Sequence, residues 1–305
     1  MPHDPRATEQ RNARTVDIDL ATPLEIVDMI SAEDRTVAAV VALERENIAR
    51  ALTQAESTLR SGGRMFHVGA GTSGRLGVLD ASEIPPTFGA PPEMVQGIIA
   101  GGAAALTRSQ EGAEDRPDGA RADLTAAGVR AGDFVIGIAA SGTTPYVGAA
   151  LRHAKSLGAH TAIVACSPPP ADILAAADIA IVAITGAEAV TGSTRMKAGT
   201  ATKLILNSIS TGAMIRLGKT YGNLMVDLQA TNEKLRDRSE RIVSEACNLS
   251  RDDSRTALVA AGGSVKLAIV MQMLAVGKEE AIERLEASHG IVRRAVGGPP
   301  PPVTP

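Results

Sequence analysis

The chain has 305 residues, 44% of them hydrophobic, 21% charged and only 2% aromatic, with a net charge of −3. That length supports one large domain or two smaller ones around sizeable cores. Without Trp, and with two Tyr and three Phe, a base-stacking platform for single-stranded nucleic acid is not expected. The charge gives no attraction to nucleic acid or to an anionic membrane.

Residues 1–22 read as irregular and polar, without the apolar core of a signal peptide. No run approaches the roughly 20 apolar residues of a membrane span, so a cytoplasmic protein is expected. Residues 31–63, "SAEDRTVAAVVALERENIARALTQAESTLRSGG", read as one long helix. Ser31 and Asp34 have capping-box spacing, and Gly62-Gly63 closes the stretch. Short apolar runs at 64–70, 93–100, 133–140, 160–166 and 178–184 read as strands, with helical stretches such as 144–157 between most of them. Strands alternating with helices predict an α/β fold, a doubly wound parallel sheet of five strands.

Residues 197–219 read as a long helix with more apolar surface than one face buries. The polar and amphipathic segments over 232–296 predict a small all-helical C-terminal domain. The expected organisation is an N-terminal extension and helix (1–53), an α/β domain (54–217), the helical domain (232–296) and a disordered Pro-rich tail, "GGPPPPVTP" (297–305). Cys166 and Cys247 have no metal-ligand spacing and read as buried or idle thiols.

The chemistry is concentrated in loops that follow strands. "HVGAGTSGRLG" (67–77) carries Gly69, Gly71 and Gly74 in G-x-G-x-x-G spacing. A dinucleotide reading also requires a continuous helix and an acid at the end of the next strand. Here "IPPTFGAPPE" is expected to interrupt the helix, and Glu93 precedes its strand. A second strand ends in "SGTTPYVGAALRHA", and "TGSTRMKAGT" opens a third helix. Ser/Gly/Thr loops at the carboxyl ends of parallel strands can surround one phosphate with hydroxyls, amides and helix N-termini. Gly71, Thr72 and Ser73, then Ser141, Gly142 and Thr143, then Ser193 and Thr194 are the candidate phosphate ligands. An alternative reading makes Ser141 and Ser193 simple N-caps. Arg195 and Lys197 read either as contacts to substrate anions or as helix-surface salt bridges.

These residues also carry a resemblance. "TEQRNART", "GAGTSGRLGVLDASEIPPTFG", "IIAGG", "EGAED", "IAASGTTPYV", "TGSTRMKAGTATKLILNSIST" and "YGNLMVDLQATNEKLRDR" together resemble the N-acetylmuramic acid 6-phosphate etherases, from about residue 8 to 240. That family lies within the sugar isomerase (SIS) superfamily. The resemblance implies a parallel sheet with helices on both faces, a small helical C-terminal domain, and a homodimer with substrate near the subunit boundary. It implies cleavage of the D-lactyl ether of N-acetylmuramic acid 6-phosphate to N-acetylglucosamine 6-phosphate and D-lactate, in recovery of cell-wall amino sugar. The partner is thus a small sugar phosphate, with no nucleic acid or membrane. Three positions depart from the family's common pattern: Ile84 stands where Cys is frequent, Thr143 where Arg is frequent, and His67 where an aromatic is frequent. His67, on a strand, reads as a packed core residue.

An ether is a poor electrophile, and elimination avoids direct displacement. Once the sugar ring opens, carbon 2 lies beside an aldehyde and its proton can be abstracted. A base removes that proton, an acid protonates the departing lactate oxygen, and water adds at carbon 3. No metal or redox cofactor is expected, because no His/Cys cluster offers a site. The resemblance assigns Glu83, in "LDASEIPPTFG", as the acid and Glu114, in "SQEGAEDRPD", as the base. The residues alone do not choose Glu114 over Glu111 or Asp115. Two rival readings share the loops: a regulator that binds sugar phosphate without turnover, as glucokinase regulatory protein does, and an aldose–ketose isomerase. The regulator class needs two SIS domains where this chain has room for one. "ASEIPPTFG" with "EGAED" favours the etherase over both.

Overall fold

The computed structural model describes residues 6–228, 230 and 232–299. Within the expected tail, 300–305 lie outside the described residues. Two compact units form: one from the described residues up to 82 with 92–210, the other from 83–91 with the described residues from 211 onward.

In the first unit, 3-10 turns at Ala7–Glu9 and Ile18–Leu20 precede three helices, α1 (Pro23–Asp34), α2 (Val37–Leu43) and α3 (Arg45–Arg60). The expected single helix from Ser31 is therefore corrected in two ways. The helical region starts at Thr22, whose hydroxyl accepts from Glu25 N while Glu25 Oε2 accepts from Thr22 N, with Pro23 at the first helical position. The stretch is also broken after α1 and at Glu44. After α1, the Thr36 hydroxyl donates to Glu33 O at 2.7 Å and satisfies a terminal carbonyl that the helix leaves open.

The chain then alternates through β1 (Met65–Gly69), α4 (Gly71–Phe88), β2 (Val95–Ile99), α5 (Ala104–Thr107), α6 (Pro117–Ala126), β3 (Phe134–Ala139), α7 (Pro145–Ser156), β4 (His160–Ala165), α8 (Ala171–Ala176) and β5 (Ile179–Val182), before α9 (Lys197–Arg216). The five strands are parallel in the order β2-β1-β3-β4-β5. The central strands β1, β3 and β4 are apolar and buried almost throughout, on both faces, as a doubly wound sheet requires. Phe66, Val68, Val135 and Ile163 pack with Tyr146, Val147 and Leu151 of α7 and Leu124 of α6 on one face. On the other face α4 approaches so closely that a Cβ at Gly77 would stand 2.8 Å from the His67 Cβ.

The expected interruption of α4 does not occur. The helix runs 18 residues through Pro85 and Pro86. Both prolines fall in its last turn, where each forgoes one backbone hydrogen bond shortly before the helix ends. Gly89 N closes the end onto Pro85 O at 2.9 Å.

The second unit contains a two-residue-loop hairpin, β6 (Thr220–Tyr221) and β7 (Leu224–Met225), followed by α10 (Glu233–Cys247), α11 (Arg251–Ala260), α12 (Val265–Leu274), α13 (Lys278–Ala287) and α14 (Val292–Ala295). Gly222, at φ +58°, supplies the first turn position. Asn232, Ser250 and Ser264 cap α10, α11 and α12 with their side chains. Val243, Ala268, Ile269, Val270 and Val292 form its core. Among the described residues, no single helix is long and apolar enough to cross a membrane.

Candidate active site

The strand order reverses direction between β1 and β3: the chain leaves β1 toward β2 on one side and leaves β3 toward β4 on the other. Ligands of open α/β sheets bind at this switch point, beyond the carboxyl ends of the strands. β1 and β3 are direct neighbours, with Gly69 opposite Ile138. The segments that follow them, Gly71-Thr72-Ser73 in the first turn of α4 and the loop Ser141-Gly142-Thr143, are therefore adjacent cradles. Gly69 and Gly74 make the first turn possible, because a Cβ at Gly69 would lie 2.7 Å from Gly74 N and one at Gly74 would lie 2.7 Å from Gly69 O. Gly142 has φ +76° and a Cβ there would lie 2.8 Å from Ser167 O. Only glycine meets both demands.

In the second cradle the Ser141 and Thr143 hydroxyls lie 3.1 Å apart, and Thr143 N donates to Ser141 Oγ. Ser141 does not cap α7, whose N-cap is Thr144 with no side-chain cap bond. The N-cap alternative fails for Ser193 as well, since the first amides of α9 are taken by another group. Lys197 N and Ala198 N donate to the two carboxylate oxygens of Glu188, each at 2.9 Å. Burial pushes the Glu188 carboxyl upward, against these bonds and the nearby Lys197 charge. Those two amides are consequently not available to a phosphate, and Ser193 and Thr194 offer hydroxyls alone. The third loop still meets the first: a Cβ at Gly199 would touch Thr194 O at 3.5 Å and Thr72 Cγ2 at 3.7 Å.

Lys197 is buried rather than at the surface, contrary to the expected helix-surface salt bridge. Its Nζ lies 2.7 Å from Glu33 Oε2, with both side chains buried. Glu33 also accepts from Arg14 Nε and Nη2. Arg195 is exposed. The segment holding Arg14 is pinned beside the third loop, through Asn12 Nδ2 to Ala187 O and Thr15 Oγ1 to Ala189 O.

His67 is fully buried, as expected, but it is not merely packed. Its Nε2 lies 3.0 Å from Asp80 Oδ2, while Asp80 Oδ1 accepts from Asn207 Nδ2 at 2.6 Å and Ser210 Oγ at 2.9 Å. Burial raises the Asp80 carboxyl, but the bonds from His67, Asn207 and Ser210 outweigh it and hold the group below its usual range. This cluster ties α4 to β1 and to α9. Sequence reasoning missed it, although an acid inside the apolar run of α4 was its visible sign.

Glu114 lies in the loop before α6, and its carbonyl accepts from Tyr146 N of α7 at 3.0 Å. It lines a pocket of about 210 Å³ with Gly71, Arg75, Ser109, Gln110 and Glu111. Asp115 is not among the walls. Glu83 is exposed on α4, within the second unit. Cys166 is buried and unpaired, its thiol pushed up to about 12 by burial, and Cys247 is also unpaired. Among the described residues no group of three or more His, Cys, Asp or Glu side chains is placed to hold a metal ion. The ribose-binding acid of a dinucleotide site is missing too: β2 ends at Ile99 and is followed by Ala100-Gly101-Gly102, and Glu93 stands before it.

Residues 46–155 match the family described as the glucokinase regulatory protein N-terminal SIS domain. A phosphoheptose isomerase from Francisella tularensis superposes with a TM-score of 0.51 at 17% identity, over 64% of this chain and 100% of that one, which shows the fold. The N-acetylmuramic acid 6-phosphate etherase of Symbiobacterium thermophilum is 57% identical over 86% of this chain and 87% of its own. That of Geobacillus sp. (strain WCH70) is 52% identical over 95% of this chain and 98% of its own. Identity at this level over nearly the whole length leads to one conclusion: the chain belongs to the N-acetylmuramic acid 6-phosphate etherase family.

Proposed function

We propose that the protein cleaves the D-lactyl ether of N-acetylmuramic acid 6-phosphate, giving N-acetylglucosamine 6-phosphate and D-lactate. The observation that carries this reading is the pairing of two hydroxyl-bearing cradles at the switch point with a carboxylate-lined pocket beside the first. The cradles suit the 6-phosphate, with Ser73, Ser141, Thr143 and Thr194 as hydroxyl donors and Gly71 and Gly142 allowing close backbone approach. The reaction is that of a carbon–oxygen lyase followed by hydration. Glu114 removes the carbon-2 proton of the opened sugar, Glu83 protonates the lactate oxygen as its bond to carbon 3 breaks, and water adds across the resulting double bond. The sum is one water consumed and one lactate released.

The enzyme acts as a homodimer in the cytoplasm in this reading. Two unpaired cysteines are in keeping with a reducing compartment. The buried side chains Ile205, Leu206 and Ile209 account for much of the apolar surface expected to be in excess on α9. The excess lies elsewhere, in Leu20, Leu24, Val27 and Leu43, which are 57–83% exposed near and along α1 and α2. A second copy covering that face would remove it from water. A monomeric mass in dilute, active enzyme would contradict the dimer.

The test of function is incubation with N-acetylmuramic acid 6-phosphate and with its unphosphorylated form, followed by assay of D-lactate. Release from the 6-phosphate alone is expected. Equal efficiency on both would remove the phosphate assignment, and no release from either would favour a binding protein.

A further inference from the structure

The carboxylate that distinguishes this substrate from other amino-sugar phosphates needs a cation, and the glutamate-lined pocket contains one. Arg75, at the start of α4, is the single basic side chain among the described walls, against Glu111 and Glu114. Its Nε donates to Leu106 O at 3.1 Å, which tethers the guanidinium by one N–H. No carboxylate of the described residues pairs with it, so its remaining N–H groups have no charged partner.

We propose that Arg75 receives the lactyl carboxylate of the substrate. The proposal rests on the reading that Glu114 acts at carbon 2. The lactyl group hangs from carbon 3, one bond away, whereas the phosphate is carried on carbon 6. A pocket of about 210 Å³ with Glu114 in its wall has room for the small lactyl group. Ser141 and Thr143, the second phosphate cradle, are not among its walls. An anion entering beside two glutamates is repelled unless a cation meets it, and the planar guanidinium fork matches a carboxylate with two parallel hydrogen bonds. The same contact sorts product from substrate, because N-acetylglucosamine 6-phosphate has no carboxylate to hold.

The experiment compares two substrates on three enzymes. The substrates are N-acetylmuramic acid 6-phosphate and its lactamide, in which the carboxylate is neutral at nearly the same size. The enzymes are wild type, Arg75→Gln and Arg75→Lys. Wild type is expected to prefer the carboxylate in kcat/KM by on the order of 10–100-fold, the range for a hydrogen-bonded charge pair. Arg75→Gln loses that preference, and Arg75→Lys keeps part of it. An undiminished preference in Arg75→Gln, or an equal loss on both substrates, would overturn the assignment. Exchange of the carbon-2 proton of N-acetylglucosamine 6-phosphate by wild type in heavy water reports separately on proton abstraction at carbon 2. Its absence counts against the underlying reaction, while its presence with an undiminished preference in Arg75→Gln counts against Arg75 alone.

Discussion

Lys197 Nζ stands 2.7 Å from Glu33 Oε2, both side chains are buried, and the two residues are 164 positions apart in the chain. The hydrogen bonds from Arg14 draw the Glu33 carboxyl down to about 2, outweighing burial, and Lys197 adds to the effect. Lys197→Met leaves Glu33 buried with Arg14 as its remaining cation. Breaking a buried pair from one side costs about 3–5 kcal/mol, and the surviving Arg14 places the expected loss near the lower end. Urea unfolding measures it. The double variant Glu33→Leu, Lys197→Met should lose less than the two single losses added together. A carboxyl depressed in the folded state contributes stability that is complete above its unfolded value of about 4.3. That contribution disappears as the pH falls toward about 2. A single variant as stable as wild type would contradict the account.

The bond between His67 and Asp80 gives a second prediction. Asp80→Asn keeps the size of the side chain but removes its charge from a buried cluster. A loss of about 1–3 kcal/mol is expected at pH 7, the cost of a disturbed buried hydrogen-bond network. Because the folded Asp80 carboxyl lies below its usual range, the difference from wild type should shrink as the pH falls below about 4. Unfolding curves at several pH values test this, and a difference independent of pH would contradict the role of the charge.

The cradle glycines separate in a third way. Gly142→Ala meets both a positive φ and a carbonyl 2.8 Å from the new Cβ, whereas Gly71→Ala meets the positive φ with nothing within 4 Å. Backbone strain of about 1–3 kcal/mol applies to each, with a steric displacement of the second cradle added for Gly142. Gly142→Ala should raise KM for the phosphorylated substrate more than Gly71→Ala does. The reverse order would remove Gly142 from the phosphate site.

The two glutamates are told apart by exchange. Glu114→Gln cannot accept the carbon-2 proton, so both lactate release and carbon-2 exchange should fall by about 10²–10⁴-fold. Glu83→Gln should lower lactate release by a similar factor while carbon-2 exchange survives. Exchange is followed by loss of the carbon-2 proton signal in heavy water. Wild-type turnover in Glu114→Gln would remove it from the base role and make Glu111, in the same pocket, and Asp115 the next carboxylates to test.

The sheet and its cradles were legible because each strand is a short apolar run stopped by Gly, Ser or Thr, a signal contained in consecutive residues. Strand bounds from sequence agree with the observed ones to within two residues. The breaks around α2 were not legible, since neither carries Gly or Pro and one depends on a Thr36 hydroxyl turning back to Glu33 O. The true start of α1 has its own local sign, the "TPLE" capping box, which has the same spacing as Ser31 and Asp34. The buried partners of Lys197 and Asp80 are not legible locally, because Glu33 and Asn207 lie more than a hundred residues away. Only folding brings such pairs together. Glu188 likewise gives no local sign that it occupies the amides of α9.

The most direct test of the account follows the oxygen atom. Turnover of N-acetylmuramic acid 6-phosphate in ¹⁸O-water, with mass spectrometry of both products, distinguishes elimination and hydration from direct attack. The account predicts one ¹⁸O in the carbon-3 hydroxyl of N-acetylglucosamine 6-phosphate and none in D-lactate. Label in lactate, with the sugar unlabelled, would contradict it.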